Sequence, residues 1–174
     1  MRVTALNPVF SAEAIAARIR EMGEEIDRFY AGKPLILVCV LKGAFMFFAD
    51  LARRLTVRPE LDFVRVSSYG GGDRPGAIRF TKDIDVSVSG RHVLIVEDIV
   101  DTGHTVDFLI RQFRARGAES LRVAALVDKR ECREVEVTVD FTGFALSCGF
   151  IVGYGLDYAE QYRELPGIFE AVLE

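Results

Sequence analysis

Hydrophobic residues along the chain follow two patterns, helical spacing and continuous runs, which alternate with each other. The first helical pattern advances in steps of four and three residues through Ile15, Ile19, Met22, Ile26 and Phe29. Ser11 precedes this pattern as a candidate N-cap, and Gly32 follows it as a candidate stop. The spacing predicts an amphipathic helix between Ser11 and Gly32.

Continuous apolar runs are typical of strands that are covered on both faces of a sheet. The chain contains runs of this kind at Leu35 to Leu41, Val93 to Val96 and Leu121 to Val127, and a short one at Phe150 to Val152. A helical pattern from Gly43 to about Leu55 follows the first run, and one from Val106 to Arg116, closed by Gly117, follows the second. The repeated order of strand, glycine-containing loop and helix indicates parallel strands joined by helices.

This alternation predicts an α/β fold with a largely parallel central sheet flanked by helices. Residues 1–174 fit a single domain of ordinary size. Leu61 to Val66 and Val135 to Phe141 alternate between apolar and polar residues, which is typical of half-covered strands nearer to a sheet edge. Ser68 to Gly76 is rich in turn-forming residues and predicts a mobile surface loop.

Composition and charge exclude several classes of protein. Half of the residues are hydrophobic and 28% are charged, as in globular proteins. The net charge of −4 argues against a nucleic-acid or anionic-membrane surface, because such surfaces need basic patches. The chain shows neither a signal-peptide pattern nor an apolar run long enough to span a membrane. The widely spaced Cys39, Cys132 and Cys148 indicate neither a disulfide framework nor a zinc site, so we expect a cytoplasmic protein.

The segment from Glu97 to Thr105 carries the candidate chemistry. It lies at the carboxyl end of a predicted strand, where open α/β sheets bind their ligands. Thr102 to Thr105 lead into a helix whose free backbone N–H groups favour a phosphate, and the threonine hydroxyls add donors. Glu97 and Asp98 can accept hydrogen bonds from a vicinal diol or hold Mg²⁺. The segment therefore predicts a site for a sugar phosphate.

Two other interpretations of this segment are open. Its acids could be solvated loop residues before an ordinary helix cap, although apolar residues surround them on both sides. An Asp after an apolar strand also fits an aspartyl-nucleophile phosphatase, but the Asp-x-Asp pair expected directly at the end of that strand is missing.

Residues 93–105, Val-Leu-Ile-Val-Glu-Asp-Ile-Val-Asp-Thr-Gly-His-Thr, resemble the phosphoribosyl-diphosphate-binding motif of the type I phosphoribosyltransferases. Leu41-Lys42-Gly43-Ala44 resembles the pyrophosphate loop of that family, and Ser67-Ser68-Tyr69-Gly70 resembles its closing loop. Val127 to Arg130 and Phe150 to Tyr158 resemble the purine pocket of the hypoxanthine-guanine branch. The first motif is shared by the superfamily, whereas the combination is specific to the 6-oxopurine enzymes.

The resemblance implies a type I phosphoribosyltransferase fold with a small hood built from terminal segments. It also implies purine salvage, in which ribose 5-phosphate moves from phosphoribosyl diphosphate to N9 of hypoxanthine or guanine, giving IMP or GMP and pyrophosphate. Mg²⁺ is the implied cofactor, and a homodimer or homotetramer is the implied assembly. A regulatory RNA-binding member of the same superfamily is the alternative, against which the acidic charge weighs.

The resemblance also implies a role for each site residue. Asp101 accepts a proton near N7 of the base as the catalytic residue. For the donor, the implied substrate-binding residues are Glu97 and Asp98 at the ribose hydroxyls, Thr102, Gly103, His104 and Thr105 at the 5-phosphate, and Lys42, Gly43 and Arg163 at the pyrophosphate group. For the base they are Lys129, Phe150 and Ile151, with Asp157 between pyrophosphate and base. Ser68 and Tyr69 are implied to close over the bound substrates. Glu97, Asp98 and Asp157 are the implied metal-linked residues.

Several of these residues also have a purely structural interpretation. Lys129 could be a solvated lysine at a strand exit, Phe150 a core residue, and Arg163 an exposed helix cation. Asp157 and Glu160 have the spacing of a helix capping box. His104 stands where relatives vary, and we expect its side chain at the rim of the site. Relatives also suggest a cis peptide between Leu41 and Lys42.

Overall fold

The computed structural model describes residues 2–69, 77–147 and 149–174. Its elements in chain order are β1 (Val3–Phe10), α1 (Ala12–Tyr30), β2 (Leu35–Leu41), α2 (Phe45–Ala52), β3 (Glu60–Tyr69), β4 (Ala77–Lys82), β5 (His92–Val100), α3 (His104–Ala115), β6 (Ser120–Asp128), a 3-10 turn (Arg130–Cys132), β7 (Phe141–Ala145), β8 (Ile151–Val152) and β9 (Ile168–Leu173). Most of the predicted mobile loop, residues 70–76, lies outside the described residues.

Six strands form the central sheet in the order β4-β3-β2-β5-β6-β7. Neighbouring strands are parallel except at one edge, where β4 runs antiparallel to β3. The prediction of an α/β fold with a largely parallel sheet is confirmed. The parallel order places the carboxyl ends of β2 and β5 side by side, so the residues that follow these two strands meet.

A second sheet of three strands in the order β1-β9-β8 forms the predicted hood. β1 and β9 come from the two terminal segments, and their pairing runs from Val3 opposite Leu173 to Phe10 opposite Ile168. β8 pairs antiparallel with β9 through Ile151 and Val152. The short apolar run at 150–152 therefore forms a strand, as predicted, but it belongs to the hood and not to the central sheet.

The core has one layer on each face of the central sheet. Along β2, the buried side chains of Leu35, Leu37 and Cys39 pack with those of α1 and α2, whereas Ile36 and Val38 pack with α3 on the other face. Successive side chains of a strand point to opposite faces, so a strand covered on both faces has no polar position. This explains why β2 is continuously apolar.

The helices follow their sequence signals closely. The Ser11 hydroxyl caps α1 by accepting a hydrogen bond of 3.2 Å from the Ala14 amide, and Gly32 follows the helix with a φ of 72°. α2 is shorter than the predicted pattern from Gly43 to Leu55, because the first residues of that pattern form a turn. None of the helices in the described part of the chain has both the length and the hydrophobicity that a membrane span needs.

The strand predicted at Val135 to Phe141 is wrong, because β7 begins only at Phe141. The alternation has another cause: Val137 and Val139 pack on a small cluster that contains Val100 and Val106, without joining the sheet. The strand predicted at Leu61 to Val66 forms within β3, one strand in from the edge. β1, β4 and β9 have no counterpart among the predicted strands.

Candidate active site

A small cavity lies at the turn from β5 into α3. Its volume is about 110 Å³, and it is lined by Glu97, Ile99, Val100, Asp101, Thr102, Gly103, Thr105 and Val106. The first amides of a helix have no partner within the helix, and the helix dipole is positive at that end. Such a cavity suits a phosphate group. We call residues 101–103, which join β5 to α3, the phosphate loop.

Gly103 of the phosphate loop and the neighbouring His104 both contact residues that follow the next strand, β6. Gly103 has a φ of 90°, and a Cβ added to it would lie 2.5 Å from the carbonyl oxygen of Val135. Glycine is therefore required here both by the backbone angle and by the close approach. His104 does not line the cavity; its Nε2 lies 2.9 Å from Oε2 of the exposed Glu134, which agrees with a position at the rim.

Glu97 and Asp98 lie within β5, not in the loop after it, and form a carboxyl pair. Glu97 is 6% exposed. Burial raises the pKa of Glu97 well above its usual range, and the charge of Asp98 and a hydrogen bond with it raise the pKa further. Burial also raises the pKa of Asp98, and this rise is partly offset by hydrogen bonds from backbone amides and from Glu97 and, least of all, by the charge of Arg163. The ligand-free pair therefore tends to retain a proton, and a cation or hydroxyl donors would stabilise its charged form.

Gly43 brings the end of β2 against this pair. A Cβ added to Gly43 would lie 1.8 Å from Oδ2 of Asp98, so only glycine leaves room for the carboxylate. The peptide bond between Leu41 and Lys42, one residue before it, is cis. The Lys42 ammonium lies 2.8 Å from Oε2 of Glu160. The loop after β2 thus presents a backbone turn to Asp98 and a cation to the segment around Glu160.

Residues 155–163 form the opposite side of that loop. A Cβ added to Gly155 would lie 2.1 Å from the Gly43 carbonyl oxygen, which shows how closely the two backbones approach. Arg163 donates to the Gly155 carbonyl at 2.7 Å, and its Nη2 lies 2.8 Å from Oδ1 of Asp157 and 3.2 Å from Oε2 of Glu160. Two cations, Lys42 and Arg163, therefore share the Glu160 carboxylate.

The structural interpretation of Asp157 is only partly correct, and that of Arg163 is wrong. Asp157 Oδ2 accepts a hydrogen bond of 2.8 Å from the Glu160 amide, as in a capping box. No helix follows, however, because Ala159 and Glu160 have φ values of 52° and 64°. The side chain of Arg163 is only 18% exposed, so the interpretation as an exposed helix cation is wrong.

Lys129 follows β6 and lies on the other side of the phosphate loop. It is 5% exposed, and its Nζ donates to the Gly149 carbonyl at 2.6 Å. The same Nζ lies 3.8 Å from Oδ2 of Asp101, whose side chain is about half exposed. The interpretation of Lys129 as a solvated lysine is therefore wrong. Asp101 lies at the junction between the phosphate cavity and this buried ammonium group.

Phe150 follows Gly149 and is 42% exposed, so it is not a core residue. Its ring packs edge-to-face on that of Tyr158, with the centroids 5.6 Å apart. The exposed ring leaves an aromatic surface close to the Lys129 partner Gly149. Ile151 is buried in the main core, so only its backbone is available to a ligand.

Ser68 and Tyr69 end β3, where their backbones pair with Ile78 and Ala77 of β4. They lead into residues 70–76, so most of the mobile loop predicted from Ser68 to Gly76 lies outside the described residues, whereas Ser68 and Tyr69 themselves belong to the strand and not to a loop. The contribution of Ser68 and Tyr69 to substrate binding stays a prediction.

The carboxylates fit only part of a metal site. Among residues 2–69, 77–147 and 149–174, no group of three or more His, Cys, Asp or Glu side chains is placed to hold a metal. Asp157 pairs with Arg163, whereas Glu97 and Asp98 bond to each other. Mg²⁺ is commonly held by one or two carboxylates together with substrate oxygens and water. Glu97 and Asp98 fit a site of that kind, because they offer two carboxylate groups whose charged form a cation would stabilise.

Sequence reasoning missed two residues that contact the site. Glu160 was interpreted only through its spacing from Asp157, although its carboxylate contacts both Lys42 and Arg163. Arg133 packs behind Gly103, and its side chain is 13% exposed. An isolated arginine in a loop gives no sequence signal of burial, so only the fold reveals its position.

Comparisons with known proteins agree with this geometry. The phosphoribosyl transferase domain model matches residues 7–159. The hypoxanthine-guanine phosphoribosyltransferase of Streptococcus thermophilus is 45% identical over 159 residues, which cover 91% of this chain and 88% of that protein. The hypoxanthine phosphoribosyltransferase of Buchnera aphidicola is 41% identical over 95% of this chain and 96% of its own.

Solved structures show the same likeness in three dimensions. The crystal structure of a hypoxanthine-guanine phosphoribosyltransferase from Bacillus anthracis has a TM-score of 0.90 at 37% identity, covering 98% of this chain and 99% of that one. A hypoxanthine phosphoribosyltransferase from Staphylococcus aureus has a TM-score of 0.92 at 36% identity, covering 98% and 92%. With the phosphate cavity on one side of Asp101 and the buried Lys129 on the other, the chain belongs to the phosphoribosyltransferase family and groups with its hypoxanthine-guanine members.

Proposed function

We propose that the protein is a Mg²⁺-dependent hypoxanthine-guanine phosphoribosyltransferase of purine salvage. It transfers ribose 5-phosphate from phosphoribosyl diphosphate to N9 of hypoxanthine or guanine, forming IMP or GMP and releasing pyrophosphate. The observation that carries the proposal is the position of Asp101, which lines the phosphate cavity and lies 3.8 Å from the Lys129 ammonium. One carboxylate thus borders both the place for a sugar phosphate and the place for a base.

The donor binds along the ends of β2 and β5. The 5-phosphate occupies the 110 Å³ cavity, where the first amides of α3 and the hydroxyls of Thr102 and Thr105 donate to it. Glu97 and Asp98 accept hydrogen bonds from the ribose hydroxyls. Lys42 and Arg163, which share Glu160 in the ligand-free protein, turn to the pyrophosphate group.

The base binds between Lys129 and Phe150. The Lys129 ammonium donates a hydrogen bond to O6 of a 6-oxopurine. The 6-amino group of adenine is itself a donor, so it cannot accept a hydrogen bond from the ammonium group. Because Lys129 is 5% exposed, water competes little for this contact. The exposed ring of Phe150 stacks on the purine.

Asp101 acts as the proton acceptor when N9 attacks the anomeric carbon. Its carboxylate is half exposed and lies next to the Lys129 ammonium, so it is accessible to the N7 side of the base. The reaction passes through an oxocarbenium-like state, so holding ribose and leaving group in line matters most. Glu97 and Asp98, with oxygens of the donor, would hold Mg²⁺, whose charge would stabilise the departing pyrophosphate.

The relatives support this function over the RNA-binding alternative. The relatives from Streptococcus thermophilus and Buchnera aphidicola are named as a hypoxanthine-guanine and a hypoxanthine phosphoribosyltransferase, and the net charge of −4 disfavours an open RNA surface. The same family analogy supports a homodimer or homotetramer in the cytoplasm as part of the proposal.

An absorbance assay of the purified protein with phosphoribosyl diphosphate and Mg²⁺ tests the proposal, with hypoxanthine, guanine, xanthine and adenine offered separately. We expect turnover with hypoxanthine or guanine, little with adenine, and none after EDTA removes the metal. Absence of nucleotide from every base would overturn the proposal. Full turnover in EDTA would overturn only the role of Mg²⁺.

A further inference from the structure

Residues 130–135, here called the connector, join the base side of the site to the phosphate loop. The connector begins directly after Lys129 and ends beside the phosphate loop. The amides of Glu134 and Val135 both donate to the carbonyl oxygen of Thr102, each at 3.0 Å. The Val135 carbonyl fills the space beside Gly103, 2.5 Å from where a Cβ would lie. The connector therefore supports the phosphate loop from outside the cavity.

Arg133 anchors the connector. Its Nη2 pairs with the carboxylate of Asp128, which is 2% exposed, and its Cδ packs beside Gly103, 3.0 Å from where a Cβ would lie. The side chain is only 13% exposed, and its Nη1 is buried with no hydrogen-bond partner among the described residues. Burying an unpaired guanidinium nitrogen costs free energy. A cation in this position lowers the free energy of a phosphate dianion bound nearby, because low-polarity surroundings screen the attraction weakly.

We infer that Arg133 is a positioning residue for phosphate binding: held by Asp128, it fixes the connector against the phosphate loop and adds positive charge behind it. Arg133 touches no substrate in this arrangement and acts through Thr102 and Gly103. The inference rests on the proposed function for the identity of the ligand, ribose 5-phosphate.

Arg130 provides a matched control for Arg133. Both arginines pair with Asp128, but the side chain of Arg130 is 77% exposed, and it makes no recorded contact with the phosphate loop within the described residues. Arg130→Ala removes a cation from the same carboxylate and leaves the connector in place. Arg133→Met removes the buried cation and keeps an unbranched side chain of similar length. Asp128 retains Arg130 in this variant, so we expect it to fold.

The test measures two quantities in the wild type and each variant: the KM for phosphoribosyl diphosphate, and the dissociation constant of ribose 5-phosphate by calorimetry without base. Arg133→Met should raise both by about tenfold, because it removes a weakly screened positive charge from behind the bound phosphate dianion. The KM for hypoxanthine should change by less than about threefold. Arg133→Lys keeps the positive charge and should therefore raise both quantities less than Arg133→Met does. The lysine variant also takes the place of Arg133→Met in the test if the methionine variant does not fold.

The inference is overturned if Arg133→Met binds ribose 5-phosphate as the wild type does, or if Arg130→Ala weakens binding equally. It is also overturned if the wild type does not bind ribose 5-phosphate. Failure of the proposed function has a different signature: the wild type forms no nucleotide, while Arg133→Met still weakens binding of ribose 5-phosphate relative to Arg130→Ala.

Discussion

The phosphate side and the base side of the site are built in different ways. The phosphate side comes from one stretch of chain, from Glu97 in β5 to Thr105 in α3. The base side is assembled from three separate places, Lys129 after β6, Phe150 before β8, and Tyr158 in the following loop. The local stretch needs only the connector as support from outside, whereas the assembled base side depends on the packing of several distant segments. Variants should therefore separate the two sides, and Asp101 should affect both.

The largest effect is expected at the junction. Asp101→Ala should lower kcat by about 10²- to 10⁴-fold, since positioned proton transfer contributes on that scale. The KM for each substrate should change much less, because Asp101 acts mainly in the transition state. Steady-state kinetics with varied hypoxanthine and varied donor measure both quantities. Asp85→Ala, at another exposed carboxylate, is the control, and an unchanged kcat for Asp101→Ala would remove Asp101 from the mechanism.

Lys129→Met should damage the base side alone. The value of kcat/KM for hypoxanthine should fall by about 10- to 100-fold, the scale of a lost hydrogen bond from a charged donor. The KM for phosphoribosyl diphosphate should stay near the wild-type value, and the preference over adenine should shrink. Arg114→Met, at an exposed position, is the control. An equal loss for hypoxanthine and adenine would contradict the assignment of Lys129 to O6.

The acid pair on the phosphate side should make the ligand-free protein less stable as pH rises. The pKa of Glu97 is raised in the folded protein above 4.5, so the folded state binds the proton more tightly than the unfolded state. Its contribution to stability is present below pH 4.5 and is lost as pH rises through the folded pKa. Glu97→Gln should therefore raise the Tm of the ligand-free protein at neutral pH and reduce its fall with pH.

Calorimetry over a pH series that rises from 4.5 to neutral measures this change, on a scale of about 2–4 °C for each kcal/mol in a chain of this size. The exposed Glu24→Gln is the control, and it should leave the pH dependence unaltered. A Glu97→Gln variant with the wild-type slope would contradict the assignment of the retained proton to this pair.

The smallest effect is expected at Glu160, which in the ligand-free protein competes for the two cations assigned to pyrophosphate. Glu160→Gln should strengthen product inhibition by pyrophosphate by no more than about fivefold, because solvent screens an exposed ion pair and leaves it little net stabilisation. The side chains of Lys42 and Glu160 are 44% and 63% exposed. The exposed Glu164→Gln is the control, and weaker inhibition in Glu160→Gln would contradict the assignment.

The contrast between a local and an assembled side also explains which parts of the site could be predicted from the sequence. The apolar run of β2 and the acids of β5 lie on continuous patterns, and the structure places them together as expected. The buried state of Lys129 and the exposed state of Phe150 depend on Gly149 and on Tyr158, which are 20 and 29 residues from Lys129 along the chain. The spacing of residues within one segment contains no information about contacts between segments this far apart in the chain.

Two errors came from patterns that have more than one physical cause. Alternation at Val135 to Phe141 predicted a strand, but the same alternation arises when a loop rests every second side chain on a core cluster. Asp157 and Glu160 have capping spacing, and the bond forms, yet positive φ angles at Ala159 and Glu160 turn the chain away from a helix. The interpretation of Glu160 as a structural partner hid its contact with Lys42.

The base side rests on the hood, and the hood needs β9, a strand from the last part of the chain to be synthesised. The Ala171 amide donates to the Phe150 carbonyl at 2.8 Å, and β8 pairs only with β9 among the described strands. A nascent chain can lay down β5 and α3 with their phosphate loop well before Ile168 to Leu173 leave the ribosome. The surface that selects the purine, by contrast, stays without its supporting strand until those residues arrive. Loss of β9 should thus leave a protein that recognises a sugar phosphate better than it recognises a base.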